Sequence, residues 1–357
     1  MSNAETFGIR HLPFDIVVTH SRLDRLLLLM AIIWGTNYAL IKSAFREIDP
    51  QAFNALRLAL ASCVMAGASL VARRLPPSAR AARGTAVIAS IFHTPAPVTR
   101  RDWFRLAWLG LVGHCLYQYL FVGGLARTSV ANGSLLVSAT PVVITVLSTI
   151  RGEERIGALH WAGTLLSLFG IYIVVGRGAH VTAVSLRGDL MLMAAVVCWA
   201  LYTIGARPLM ARHSPVGVTA LSMMLGTFMY LPLAAPSLAA VPWHTVSIVT
   251  WGKLVYSAVF AICVAYTIWY AAVREIGSAR TSVYSNLLPI VAMITAWAWL
   301  HEPIGVTKIL GAACVLAGVA VTKRAHGSGR THGPGLMAQE GLMAQDLWLR
   351  PDQDKPA

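Results

Sequence analysis

The feature that most constrains this chain is a series of apolar stretches, each about as long as a helix that spans a bilayer. A helix needs about 20 apolar residues to cross the hydrocarbon core. Of the 357 residues, 56% are hydrophobic and only 12% are charged, against roughly a quarter charged in soluble proteins. We therefore predict an all-α integral membrane protein with about ten transmembrane helices. The predicted helices span residues 26–45, 52–71, 103–125, 129–150, 158–175, 189–210, 216–235, 249–273, 279–300 and 306–321.

The positive charge of the chain fits a membrane surface better than a nucleic acid. The net charge is +14, but the basic residues cluster between apolar runs and form no continuous stripe with interleaved aromatics. With a cytoplasmic amino terminus, roughly 19 Lys and Arg residues fall inside and 7 outside, the bias typical of bacterial inner-membrane proteins. We predict that both termini are cytoplasmic, with a leader at 1–23, a basic loop at 72–102 and a disordered tail at 325–357.

The sequence contains an internal repeat. An offset of 148 residues superposes the fourth and fifth predicted helices on the ninth and tenth, and an offset of 165 superposes the first two on the sixth and seventh. We therefore predict two five-helix repeats, 24–176 and 177–324. An odd number of helices inverts the second copy in the membrane, an arrangement that suits alternating access. The matched pairs are Pro141/Pro289, Glu154/Glu302, Ile156/Ile304, Gly163/Gly311 and Gly170/Gly318 at 148, and Trp34/Trp199, Pro50/Pro215, Ala55/Ala220 and Leu56/Leu221 at 165.

Three segments resemble a known family. The runs LLLMAIIWGTNYALIKSA at 27–44, SLLVSATPVVITVLSTIRGEERI at 134–156 and SNLLPIVAMITAWAWLHEPI at 285–304 are similar to the EamA domains of the drug/metabolite transporter superfamily. The resemblance covers residues 22–324. It implies a ten-helix transporter with a central cavity between its repeats, and it implies export of amino acids or other small metabolites. The long Arg-rich loop departs from the family pattern.

Polar and aromatic residues inside the predicted helices are candidates for a substrate site. Such side chains can hold a zwitterionic or amphiphilic solute, although Trp and Tyr also form belts at membrane interfaces and small polar residues also join helices. Arg57 is a cation well inside the second helix, where it either faces water, a partner or an anionic ligand, or reaches toward the headgroups. The other candidates are Trp34, Asn37, Tyr38, Tyr117, Asn132, Trp199, Tyr202, Tyr266, Trp269, Tyr270, Ser285 and Asn286.

Two further pairs of repeat-related residues have candidate mechanical roles. Pro141 and Pro289 each remove a backbone donor in mid-helix, so they are either hinges used in transport or static bends. Glu154 and Glu302 stand at opposite membrane faces, where each is either part of a gate or a surface cap or ion pair.

The sequence indicates no enzyme. No acidic pair falls at membrane depth, no Walker A pattern is present, and the five cysteines lack the spacing of a metal site. We predict no cofactor and no metal, and as partners a small-molecule substrate and membrane lipid rather than nucleic acid. The predicted function is secondary transport, independent of ATP. The alternatives are a polytopic membrane enzyme acting on lipid, and a passive channel or scramblase.

Overall fold

A computed structural model describes residues 22–74, 97–152, 157–177, 183–210 and 212–328. Within these ranges all regular secondary structure is helical. Most of the predicted leader, the central part of the basic loop, the predicted tail beyond residue 328 and Glu154 lie outside the described residues.

The helices follow the apolar stretches of the sequence. Eight of them, α1 to α4 and α6 to α9, are long and apolar enough to cross a membrane, whereas the apolar part of α10 spans only Val306–Thr322. The chain is thus a multi-pass membrane protein with eight candidate spans among its described residues, against the ten predicted. The bounds are α1 Arg22–Ala44, α2 Pro50–Arg74, α3 Arg100–Arg127, α4 Val130–Ile150, α5 Ala158–Arg177, α6 Ala183–Met210, α7 Pro215–Ala239, α8 Ile248–Ile276, α9 Ser278–Leu300 and α10 Val306–Ser328.

Local capping residues set where α3 and α8 begin. The Thr99 side chain accepts the backbone N–H of Asp102, whose carboxylate accepts the N–H of Thr99 in return. This capping box satisfies donors that the first helical turn leaves open. Ser247 caps α8 by accepting the N–H of Thr250. Because Thr99 and Ser247 are 148 positions apart, α3 and α8 correspond at the same offset as the helices that follow them.

A turn of π-helix interrupts both α3 and α8. The π-helical segments span Leu111–Leu116 in α3 and Ser257–Val264 in α8, so at an offset of 148 the first falls within the second. Such segments are rare in proteins and recur at functional sites. The two halves of the chain therefore share an irregularity that hydrophobic patterning does not reveal.

The helix packing is the same when the two halves are exchanged. Helices α2 and α7 pack together, as do α5 and α10, and α4 and α9. Helix α1 packs on α8 and α9, and its counterpart α6 packs on α3 and α4. Helix α2 packs on α8, and its counterpart α7 packs on α3. Each of these contacts between the halves thus has a matching contact.

Glycines bring α5 and α10 close together in an antiparallel crossing. A Cβ atom added to Gly163 would lie 2.5 Å from the carbonyl oxygen of Gly318, and one added to Gly170 would lie 2.6 Å from that of Gly311. Small residues allow this close approach of helix backbones in membrane proteins. The earlier glycine of each helix faces the later glycine of the other, so the two helices run in opposite directions.

Four pairs of equivalent residues contact each other across the two halves. In each pair the sequence separation equals the offset that superposes the surrounding helices. A residue therefore meets its own counterpart at several places along the interface between the halves. The pairs are Ser62 and Thr227 (2.9 Å between hydroxyl oxygens), Gln118 and Tyr266 (2.9 Å from Nε2 to the phenol oxygen), Ser167 and Val315 (3.3 Å from Oγ to the carbonyl oxygen), and Trp34 and Trp199 (5.8 Å between ring centroids).

Candidate functional site

A cavity lies where the two halves meet, and seven helices contribute to its wall. Its volume is about 50 Å³, which is room for a few water molecules. The cavity must therefore widen to admit a larger solute. The lining residues are Trp34, Asn37 and Tyr38 of α1, Arg57 of α2, Tyr117, Gln118 and Phe121 of α3, Val137 and Thr140 of α4, Val196 and Trp199 of α6, Ala261, Ile262 and Tyr266 of α8, and Ser285 and Leu288 of α9.

The structure brings eight of the thirteen predicted substrate-site residues to this cavity. Trp34, Asn37 and Tyr38 share one face of α1 because residues three and four apart lie on the same side of a helix. A role for any of them in binding substrate stays a prediction. The eight are Trp34, Asn37, Tyr38, Arg57, Tyr117, Trp199, Tyr266 and Ser285.

Three other predicted aromatic residues pack behind the cavity wall. Trp269 is fully buried, with its ring centroid 5.5 Å from that of Trp34 and 5.7 Å from that of Trp199. Tyr202 and Tyr270 contact each other with centroids 5.3 Å apart. These rings support the lining residues without facing the cavity.

The two remaining asparagine candidates do not line the cavity. Asn132 lies in the first turn of α4, where its backbone N–H bonds to the Ser129 side chain. Asn286 is buried in the 3₁₀ segment Val283–Leu287 of α9.

Sequence reasoning did not select several residues that the structure places at the cavity. These residues are Phe121 and the apolar wall residues Val137, Val196, Ala261, Ile262 and Leu288. The apolar residues carry no signal that separates cavity wall from ordinary helix packing.

Arg57 is a buried cation that forms no ion pair among the described residues. Its side chain is 2% exposed, so the guanidinium lies inside the protein rather than among headgroups. Nη1 donates to Ser257 Oγ at 3.0 Å, and Nη2 donates to Asn54 Oδ1 at 2.5 Å and to Gln118 Oε1 at 2.6 Å. All three acceptors are neutral, and Nε has no partner.

The π-helical segments border this network. Ser257 is the first residue of the π-helical segment in α8. Gln118 lies just after the π-helical segment Leu111–Leu116 in α3. The indole nitrogen of Trp34 donates to the carbonyl of Ala261 at 2.7 Å, within the segment of α8. The irregular backbone thus helps to orient side chains at the cavity.

The position equivalent to Arg57 carries no charge. At the offset of 165 Arg57 corresponds to Ser222, which lies 2.9 Å from the hydroxyl of Tyr202. That hydroxyl also lies 2.9 Å from His114 Nε2. The two halves therefore share a backbone arrangement but differ in charge, with the cation on one side only.

Both predicted proline hinges follow a break in helix geometry. Regular α-helix stops at Val137 and resumes at Thr140 in α4, and in α9 it resumes at Leu288 after a 3₁₀ segment. Pro141 and Pro289 lie in the first turn of the resumed helix, where a missing N–H costs least. The Thr140 hydroxyl donates to the Val137 carbonyl at 2.6 Å, in place of the donor that Pro141 lacks. Motion at either break stays a prediction.

Two loop contacts join the halves, one at each end of the helices. At one end the Glu47 carboxylate accepts the backbone N–H of Ser247 at 2.8 Å and its hydroxyl at 3.1 Å. At the other end the Asp102 carboxylate lies 3.3 Å from His213 Nε2 and 3.5 Å from Arg212 Nη1. Glu47 and Arg212 are related by the offset of 165.

Glu302, one of the two predicted gate residues, caps a helix. Its carboxylate accepts the backbone N–H groups of Val130 at 3.0 Å and Ala131 at 3.3 Å. A carboxylate is stabilising at this position because the helix amino terminus carries partial positive charge. A gating role for Glu302 stays a prediction, and Glu154 lies outside the described residues.

Both halves of the sequence match one protein family. Residues 23–176 and 186–324 each match the EamA-like transporter family. The uncharacterized transporter YyaM of Bacillus subtilis is 29% identical over 214 residues, which cover 59% of this chain and 70% of the relative. An uncharacterized transporter of Archaeoglobus fulgidus is 26% identical over 85% of this chain and 98% of its own length. The probable terminal-alkyne amino-acid exporter of Streptantibioticus cattleyicolor is 27% identical over 76% of this chain and 89% of its own length.

The fold has a counterpart among solved structures. One crystal structure covers 83% of this chain and 94% of the other, with a TM-score of 0.61 and 20% sequence identity. At that identity the likeness concerns the fold alone.

Proposed function

This chain belongs to the EamA-like transporter family, and on that premise we propose that it is a secondary transporter that exports amino acids or related small metabolites by alternating access. The name of the Streptantibioticus cattleyicolor relative, an amino-acid exporter 27% identical to this chain, supports both the substrate class and the direction. The lack of a Walker A pattern in the sequence supports transport that does not hydrolyse ATP.

The proposed architecture has ten transmembrane helices in two inverted repeats, 24–176 and 177–324. The antiparallel crossing of α5 and α10, which occupy equivalent positions in the two repeats, supports the inversion. The four pairs of equivalent residues support a pseudo-two-fold axis, because a residue touches its own counterpart only near such an axis. In an inverted repeat this axis lies in the membrane plane.

One observation carries the proposed mechanism. Two of the four pairs, Trp34 with Trp199 and Gln118 with Tyr266, line the cavity. The cavity therefore lies on the proposed axis. If one conformation opens the cavity to one side of the membrane, the symmetry provides a nearly equivalent conformation that opens the cavity to the other side. Alternating access requires such a pair of conformations. The loop contacts at both ends support an occluded state between the two.

The proposed location is a bacterial inner membrane, with both termini and the basic loop 72–102 in the cytoplasm. The structure groups Lys42, Arg46 and Glu302 around a pocket at one end, and Arg105 and Arg151 around a pocket at the other. Residues that the predicted topology assigns to the same side of the membrane thus lie together. This supports the alternating helix directions that the count of Lys and Arg residues assumes. Reporter fusions to the termini and to the loop test the topology, and an extracytoplasmic signal from the loop would refute it.

Counterflow in proteoliposomes tests the transport mechanism. Unlabelled amino acid loaded inside should drive transient accumulation of labelled amino acid, with saturation. A passive channel gives no such overshoot, and a lipid-modifying enzyme gives altered lipid instead. Trp199→Ala should abolish counterflow because Trp199 lines the cavity. Trp297→Ala is the matched control, since Trp297 is 59% exposed on α9.

A further inference from the structure

The polar residues that line the cavity form two groups, here called its two poles, which lie on different helices and differ in the hydrogen bonds they offer. We propose that the cavity binds a zwitterion, with a carboxylate at Arg57 and an ammonium group at Asn37. This inference rests on the proposed function and deepens it, because it names the two groups that a substrate must carry and the side chains that distinguish them.

One pole offers hydrogen-bond donors that the protein leaves unused. The Arg57 guanidinium has five N–H donors, of which the protein satisfies three, and Nε has no partner. Gln118 accepts from Arg57 through Oε1, so its Nε2 donates to the Tyr266 hydroxyl. The hydroxyl of Tyr266 thus accepts one bond and keeps its own proton to donate. These three residues lie on the adjoining helices α2, α3 and α8.

The charge of this pole lacks a counterion in the part of the chain that the structure describes. A buried guanidinium is costly unless a negative group compensates it. A carboxylate is the group that arginine binds best, through paired and charge-assisted hydrogen bonds. A solute carboxylate at this pole would supply the missing charge and accept from both Arg57 and Tyr266.

The other pole presents acceptors. Asn37 is 5% exposed, and its Oδ1 has no hydrogen-bond partner. Thr140 and Ser285 donate their hydroxyl protons to backbone carbonyls, so their lone pairs remain to face the cavity. These residues lie on α1, α4 and α9, which pack on one another. Three uncharged acceptors suit an ammonium group, which carries three donors and no lone pair.

The two poles together exclude solutes that carry only one of the charged groups. A simple amine or a cationic drug would place a second positive charge in the buried cavity that holds Arg57, where the low dielectric of the protein interior strengthens the repulsion. A simple carboxylic acid would leave the Asn37 carbonyl oxygen buried without a donor. The aromatic rings of Trp34 and Trp199 suit an apolar or aromatic side chain between the poles.

Ligand-induced thermal stabilisation of the purified protein tests this inference independently of transport. The probes are phenylalanine and leucine, their decarboxylated amines 2-phenylethylamine and isopentylamine, and their deaminated acids 3-phenylpropionate and 4-methylpentanoate. At least one amino acid should raise the melting temperature by mass action, with an affinity at least about tenfold above that of its amine and its acid. Amines that bind as tightly as the amino acids, or a panel in which no amino acid binds, would overturn the inference.

Variants separate binding roles from structural ones. Arg57→Met should weaken amino-acid binding at least about tenfold and change the melting temperature without ligand only a little, because the removal of an uncompensated buried charge offsets the loss of three hydrogen bonds. A large loss of intrinsic stability would assign Arg57 a structural role instead. Asn37→Leu should bring the affinities of phenylalanine and 3-phenylpropionate together. Ser222→Ala, at the equivalent of Arg57 in the other repeat, is the control and should keep the selectivity.

The outcomes distinguish this inference from the proposed function. Amino-acid binding that needs Arg57 but gives no counterflow would refute the transporter and leave the zwitterion site standing. Counterflow of amines that survives Arg57→Met would refute the zwitterion site and leave the transporter standing.

Discussion

Ser62 in α2 and Thr227 in α7 share a hydrogen bond of 2.9 Å between their hydroxyl oxygens and stand 165 positions apart, the offset that relates these two helices. Each residue therefore touches its own counterpart. If transport exchanges the conformations of the two repeats, this pair is mapped onto itself, and its separation need not change. A pair away from the axis is mapped onto a different pair at the opposite end and must break in one of the states.

This difference predicts the result of two cross-links. In a background without the five native cysteines, a disulfide between cysteines at positions 62 and 227 should leave counterflow largely intact. A cross-link between positions 47 and 247, which joins Glu47 to Ser247 at one end only, should stop counterflow until a reductant is added. Gel mobility reports the cross-link and labelled substrate reports the flux. If the 62–227 cross-link also stops transport, these residues are not on the axis of the conformational change.

A second prediction concerns two aromatic residues on one face of α8. Tyr266 lines the cavity, whereas Trp269 is fully buried behind it. Tyr266→Cys should react with a water-soluble thiol reagent when the cavity opens, and substrate should slow the reaction. Trp269→Cys should react much more slowly. Equal labelling of both positions would show that the cavity extends to the second layer of rings.

The sequence predicted more of the architecture than of the site. The offset of 148 related α4 and α5 to α9 and α10, and the offset of 165 related α1 and α2 to α6 and α7 and paired Trp34 with Trp199, because duplicated helices keep their registers. The sequence did not show which of Tyr266 and Trp269 faces the cavity. They are three residues apart and share a helix face, and only the crossing of α8 with α1 and α6 decides which one faces the cavity.

Irregular backbone accounts for much of the remaining difference. The π-helical segment of α8 is as apolar as ordinary helix, yet it holds Ser257 toward Arg57 and Ala261 toward Trp34. Hydrophobic periodicity assumes a constant turn per residue. Side chains that follow a π-turn therefore point away from the direction that the sequence predicts.

A third prediction concerns the cap on α4. Glu302→Ala removes the acceptor for the N–H groups of Val130 and Ala131, so we expect the free energy of unfolding to fall by about 1 kcal/mol. Glu275→Ala is the matched control, because Glu275 is exposed at the end of α8. Denaturation of the purified protein in detergent measures both. An unchanged stability in Glu302→Ala would mean that water replaces the cap at no cost.

A fourth prediction concerns acid stability. The pKa of Glu47 is held below its ordinary value of 4.5 because the backbone N–H and then the hydroxyl of Ser247 donate to its ionised carboxylate. A group whose pKa is lower in the folded state adds stability above its unfolded pKa, and this stability is lost as the pH falls through the folded value. The wild-type melting temperature should therefore drop below about pH 4.5 more steeply than that of Glu47→Gln. Parallel curves for the two proteins would contradict this assignment.

The last prediction concerns energy coupling. None of the residues that line the cavity is an Asp or a Glu. The lining therefore offers no carboxylate that could pass protons, as a buried Asp or Glu does in many transporters. His114 bonds to Tyr202 behind the wall, and His160 bonds to Thr145. A zwitterion also carries no net charge across the membrane. We therefore expect net flux in proteoliposomes to respond little to an imposed pH gradient or membrane potential, while counterflow remains rapid. Concentrative transport driven by the pH gradient, surviving replacement of both histidines together with Glu154 and Glu302, would show that protons couple through a route that these residues do not provide.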